Sequence, residues 1–311
     1  MSEIQIFITT FNRPEFLKNC VNSILNQTFT DFELIISDNS TNNLTQKSCE
    51  KFTDNRVFYI KRVPTLSGIE HFNTILTEVS CDYFMIFHDD DIMHVNMVEE
   101  LAKEFKYNID SIAIGANAFF IYDNKKSNKL IFKSKKSKFV LRSNLDVANQ
   151  YLVRNGIVPF SSFLYKKDVA RKLKLDFNNG LNFCDAAFMM DVANLGQLIY
   201  LNVPLMDYYV HTDNNHVPDF FTNNMKFINF IRKTTDSSKN FSIVSKYRIK
   251  AIYMELKQGL LTKRIKTGSN RYLKLLKILF IKSYNDYFLR ILVITCLCFL
   301  KVSTKKIKVE S

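Results

Sequence analysis

Three consecutive aspartates, Asp89-Asp90-Asp91, follow the apolar run YFMIF (83–87) and His88. Like charges in contact raise one another's pKa, so all three ionise at low cost only where a cation or a helix N-terminus neutralises them. Hard oxygen ligands from one short turn, with positions left open for diphosphate oxygens, describe a Mg²⁺ or Mn²⁺ site that holds a nucleotide diphosphate. An acidic N-capping turn before a helix over 95–106 is the alternative. Two further polar clusters also follow apolar runs: Thr9-Thr10-Phe11-Asn12-Arg13 and Asp38-Asn39-Ser40. For Asp38 the competing role is an Asx turn with the next two residues. Only 7 Gly and 5 Pro occur in 311 residues, which leaves few positions for a glycine-rich phosphate loop and turns attention to carboxylates and histidines.

These clusters need elements to carry them. Short apolar runs at 4–9, 32–37, 57–60 and 83–87 read as strands, and amphipathic patterns at 14–26, 44–51 and 69–79 read as the helices between them. Such alternation predicts an α/β fold with a mostly parallel, Rossmann-like sheet flanked by helices. In sheets of this kind ligands bind beyond the carboxyl ends of the strands, where the three polar clusters fall. Residues 123–142 are polar and lysine-rich and read as an exposed excursion, a hairpin over the sheet edge. Beyond it the pattern predicts an apolar segment at 159–165, a helix starting near Asp185, and strands at 198–201 and 206–210. A domain boundary is expected near Pro218, which divides the chain into 1–218 and a helical, basic 219–311.

The net charge of +13 is concentrated at the C-terminal end. Residues 246–311 hold 16 Lys and Arg against 3 Asp and Glu, a balance of 16 − 3 = +13, so the first 245 residues are neutral overall. Such asymmetry implies a localised anionic partner, either lipid headgroups or nucleic acid, although a solvated helix face has the same composition. The longest uncharged apolar run in this region, 291–300, is about half of what a bilayer span requires. Residues 271–308 interleave Leu, Ile and Phe with Lys and Arg, which suits a helix in the headgroup layer of an anionic membrane surface, or one packed on the protein body. Neither Trp nor a nucleic-acid-binding signature is present, so no nucleic acid partner is expected. The six cysteines lack zinc or CxxC spacing and fit a reduced compartment. MSEIQIFITT lacks the pattern of a secretory leader, so a cytoplasmic location is expected.

FITTFNRPEFLKNCVNSILNQTFTDFELIISDNST (7–41) and YFMIFHDDDIM (83–93) together resemble the inverting family 2 glycosyltransferases of the GT-A fold. The first is similar to that family's opening strand, helix and second strand, and the second to its DxD segment. The likeness spans residues 3–100 and, more loosely, 180–216. It implies that Thr9, Phe11 and Arg13 line a nucleobase pocket, that Asp38 bonds uracil or ribose, and that Asp89 and Asp90 help hold ribose and metal. Asp91 would then ligate Mn²⁺ or Mg²⁺ directly. FCDAAFMMDVANLG (183–196) resembles the family's acidic helix, with Asp185 in the place of the catalytic base and Cys184 where a Glu is usual. His211, after the run ending at Val210, resembles the family's metal-completing histidine, while His88 and His94 read as packing or capping residues.

The resemblance implies a metal-dependent inverting transfer from a nucleotide-sugar, a UDP-sugar, to a glycan or lipid-linked glycan acceptor. The setting would be bacterial surface polysaccharide assembly at the inner face of the cytoplasmic membrane. Cys184, and the absence of the family's usual arginine near His71 and Phe72, motivate a second reading: a catalytically degenerate module that binds nucleotide. A basic-tail nucleic-acid-binding protein is a third. A mobility shift with DNA and none with UDP would favour it.

Overall fold

The computed structural model describes residues 2–122, 125–153, 159–210, 220–235, 269–281 and short stretches between 244 and 257. The chain forms two compact units, 1–216 and 217–311.

The first unit is built on one mixed sheet. Its strands are β1 (Ile4–Thr10), β2 (Phe32–Asp38), β3 (Val57–Lys61), β4 (Tyr83–His88), β5 (Ile92–Met93), β6 (Ser111–Tyr122), β7 (Lys125–Leu130), β8 (Lys138–Leu141), β9 (Phe163–Lys166) and β10 (Gln197–Val210). The order is β3-β2-β1-β4-β9-β6-β10-β5, with β7 beside β6 and β8 beside β10. The helices are α1 (Pro14–Leu25), α2 (Leu44–Cys49), α3 (Gly68–Glu78), α4 (Met97–Tyr107), α5 (Asn144–Val153), α6 (Lys167–Lys172) and α7 (Cys184–Leu195).

β1 lies between two parallel partners, in registers that pair Thr10 with Asp38 and Thr9 with both Ser37 and His88. The three polar clusters of the sequence therefore leave the same sheet edge. Ile4, Ile6, Phe7 and Ile8 are all buried, as expected of a parallel strand covered on both faces. α1 begins on Pro14 and buries Leu17, Cys20, Val21 and Ile24, the spacing of one helix face. Each such aliphatic side chain contributes roughly 1.5–3 kcal/mol when removed from water. α3 starts in a capping box, with Ser67 Oγ accepting from Glu70 N and Glu70 accepting from Ser67 N.

Several details depart from the sequence reading. Residues 197–210 form one strand, with register shifts where Asn202 to Leu205 interrupt the apolar pattern, instead of two strands. β6, a long strand of small residues, has no counterpart in that reading. Its Gly115 pairs with Phe163, whose ring occupies the place of a side chain at 115. The lysine-rich excursion does form a hairpin, β6–β7, and then adds β8 antiparallel to β10. α4 begins at Met97, with β5 intervening, so the three aspartates do not cap it.

In the second unit, α8 spans Phe220–Thr234 and α9 spans Asn270–Ile281. α9 buries Tyr272 and Leu275 and exposes Leu273. Among the described residues no helix is long and apolar enough to cross a membrane. Most of 271–308 lies outside the described residues.

Candidate active site

The loops at the carboxyl edge of β1 and β2 are tied to each other. Asn12 adopts φ 56°, a left-handed conformation that asparagine tolerates better than most residues. Its N–H donates to Ser40 Oγ at 2.7 Å and its side-chain Oδ1 accepts from Thr41 N at 3.1 Å. This turn aims Arg13 back at the aspartates: Nη1 lies 2.7 Å from Asp90 Oδ2 and Nη2 3.4 Å from Asp89 Oδ1.

A cleft of about 430 Å³ opens over this edge, lined by Thr9, Phe11, Arg13, His71, His88 and Phe160, with Asn39, Gly68 and Leu175 at its margins. Thr9, Phe11 and Arg13, singled out from sequence, meet here. Asp38 does not line it. Its buried carboxylate accepts from Ser40 N (2.8 Å), Tyr59 Oη (2.6 Å) and Lys61 Nζ (3.1 Å), and these partners outweigh burial to hold its pKa below the ordinary value. Its neighbour Asn39 faces the cleft instead.

The three aspartates differ in their surroundings. Asp89 is fully buried, and burial pushes its pKa up to about 6 against the pull of Arg13, the Thr10 hydroxyl and the Phe11 N–H. Asp91 is also fully buried; Ser161 Oγ donates to Oδ2 (3.2 Å) and Tyr209 N to Oδ1 (3.0 Å). Burial first, and then the Asp90 charge, drive its pKa well up. The carboxylates of Asp90 and Asp91 approach each other within 4.8 Å, and such a pair calls for a counter-ion. His88, Asp90 and Asp91 place ligand atoms within 4.8 Å of one another, a set of oxygens and one imidazole suited to Mn²⁺ or Mg²⁺. Asp89 is outside this group. The His88 ring stands edge-on to Phe160 at 5.1 Å, and its carbonyl accepts from Cys20 Sγ at 3.3 Å. Burial holds its pKa down, which favours the neutral imidazole that a metal needs. His211 lies outside the described residues.

Asp185 stands in the first turn of α7 and accepts from Ala186 N at 2.8 Å. Burial raises its pKa, and the Ala186 and Asp185 N–H groups offset part of that. It does not line the cleft. At Tyr208 burial, followed by the charges of Asp91, Asp90 and Asp185, pushes the pKa up to about 12. Asp191, six residues beyond Asp185, is pushed up to about 6 by burial alone.

Sequence reasoning missed Phe160, Ser161 and Leu175, which sit in apolar or unremarkable contexts, and it read His88 as packing. The signal for His88 was its position, immediately before the acidic run at a strand end.

The protein-family model described as glycosyl transferase family 2 matches residues 5–174. An uncharacterized glycosyltransferase of Methanocaldococcus jannaschii is 28% identical over 180 residues, 56% of this chain and 59% of that protein. The chain thus spans about three fifths of that relative's length. The Escherichia coli UDP-Glc:alpha-D-GlcNAc-diphosphoundecaprenol beta-1,3-glucosyltransferase WfgD is 23% identical over 62% of this chain and 78% of its own. The crystal structure of S. aureus TarS 1-349 superposes with a TM-score of 0.62 at 14% identity, covering 88% of this chain and 79% of that one. The same protein in complex with UDP-GlcNAc superposes at 0.55, with 12% identity and coverage of 82% and 81%. Likeness at that identity shows the shared GT-A fold.

Proposed function

Because the chain belongs to glycosyl transferase family 2, we propose that it transfers a sugar, with inversion, from a UDP-sugar to a glycan or lipid-linked glycan in surface polysaccharide assembly. The observation that carries this reading is the cleft at the carboxyl edge of β1 and β4, lined by Thr9, Phe11, Arg13 and His88, where His88, Asp90 and Asp91 bring ligand atoms within 4.8 Å of one another. Residues 1–218 act as the catalytic domain.

In this reading Thr9, Phe11 and Arg13 line the nucleoside pocket, while Asp38 braces the end of β2 through Ser40, Tyr59 and Lys61. Asp89 and Asp90 hold Arg13 in place. His88, Asp90 and Asp91 would hold the divalent cation, joined by His211 in the family pattern. When bound, that ion supplies positive charge against the diphosphate on which negative charge develops. Asp185 takes the proton of the acceptor hydroxyl as its oxygen bonds to the anomeric carbon and the bond from that carbon to UDP breaks, its electron pair leaving with UDP. Burial raises the basicity of Asp185 above that of an exposed carboxylate, the direction that favours general-base work.

UDP-glucose and a diphosphoundecaprenol acceptor appear in the name of WfgD, and TarS is solved with UDP-GlcNAc. Both support the donor class, and the first supports a lipid-linked acceptor. The basic 271–308 segment would bring the enzyme to the cytoplasmic face of an anionic membrane. Incubation with a panel of UDP- and GDP-sugars plus Mn²⁺, scored for donor hydrolysis, tests the activity, and no turnover of any donor would count against it. Calorimetric titration of Asp91→Ala should show loss of Mn²⁺-dependent UDP affinity. Unchanged affinity would remove Asp91 from the metal site.

A further inference from the structure

A second, wider groove of about 710 Å³ adjoins the donor cleft. α3 gives Gly68, His71 and Phe72 to the cleft and its neighbouring face, Ile69 and Asn73, to the groove; Leu175 is a wall of both. The far bank is Lys174, Asp176 and Phe177, from the segment leading into α7 and Asp185.

That segment is held firmly. The Asn73 amide donates to Leu175 O at 2.9 Å and accepts from Leu175 N at 2.8 Å, a two-point clamp on the backbone. Asp176 Oδ1 accepts from Asn178 N at 2.8 Å and Asn178 Nδ2 at 3.1 Å, which closes the short turn Phe177–Asn179. The turn packs against α7. On this fixed support Phe177 is 45% exposed. An aromatic face presented to water on a pinned turn, ringed by carboxylate, ammonium and amide groups, matches the chemistry of a pyranose. Its C–H face stacks on a ring while its hydroxyls bond to polar neighbours.

We propose that this groove is a saccharide subsite that takes a pyranose ring of the acceptor, with Phe177 as its stacking platform. The acceptor role rests on the transferase reading above. The groove shares Leu175 with the donor cleft, and its far bank packs on the helix that carries Asp185, so a sugar seated there lies next to both.

Saturation-transfer NMR tests this with the full chain, UDP and Mn²⁺ filling the donor cleft, and methyl β-glucopyranoside and diacetylchitobiose as probes. Saturation should reach the ring C–H protons of at least one probe, fall about fivefold in Phe177→Ala, and persist in Phe177→Tyr. UDP affinity should be the same in all three proteins. Equal transfer from Phe177→Ala and wild type would overturn the proposal, as would no transfer from the wild type. Lack of UDP affinity in the wild type would overturn the donor reading separately, and the saccharide result would still decide the groove.

Discussion

Acidification should weaken the first unit through His71. The ring is 5% exposed, its Nε2 lies 2.7 Å from Ser37 Oγ, and Arg62 Nε donates to the same hydroxyl at 2.8 Å. Burial, and then the Arg62 charge, hold its pKa down to about 4 against the opposing influence of Glu78 and Asp38. An unfolded histidine titrates near ~6.5, so between those values the unfolded chain binds a proton that the native chain refuses. The stability linked to His71 is therefore complete above about pH 6.5 and is lost as pH falls toward 4, to a total of roughly 3 kcal/mol. Asp89 and Asp191, both pushed up to about 6, act with the opposite sign over the same range. The informative quantity is thus the difference between the wild type and His71→Gln, whose amide still reaches Ser37. Urea unfolding at about pH 7 and about pH 4.5 should show the wild type losing about 2 kcal/mol more than the variant. Equal losses would refute the assignment of a buried, Arg62-repelled neutral imidazole.

Asp185→Asn should retain UDP affinity while transfer falls by about 10²–10⁴-fold, since the residue stands outside the donor cleft; normal turnover would remove it from the base role. Gly115→Ala should destabilise the first unit by about 1–3 kcal/mol in calorimetric melting, because its new methyl carbon would meet the Phe163 ring at 2.7 Å. An unshifted melting temperature would show that the ring yields freely. The full chain should sediment with anionic but not zwitterionic vesicles, less so in high salt, and deletion of 271–308 should abolish this. Undiminished sedimentation of the shortened chain would place the contact elsewhere.

The first four strands and the helices between them were legible because each is a short apolar run broken by turn chemistry, and the structure shifts their ends by only a residue or two. β6 was not, because Ala113, Gly115, Ala116 and Ala118 carry too little side chain to mark a strand; at Gly115 the Phe163 ring fills the place of a side chain. β10 reads as two strands because Asn202 and Pro204 break its apolar pattern, whereas the backbone continues through shifts in register. The polar clusters announced themselves by following apolar runs, and the parallel registers bring them to one edge. The partners of Asp91, Ser161 and the Tyr209 N–H, come from chain about 70 and 118 residues away. No local pattern encodes such pairings. That Asp38 turns inward while Asn39 faces the cleft depends on Tyr59 and Lys61 of β3, a tertiary fact without a sequence mark.

The flanking of β1 by two parallel partners also acts as a ruler. Neighbouring strands run about 4.8 Å apart, so the tips that present Asn39, Thr9 and His88 to the cleft span about 10 Å, set by ladder spacing and not by any side chain. A molecule that touches all three must be of that length. Substitutions at the tips can therefore change which chemical groups are preferred, while the span between the contacts stays set by the backbone.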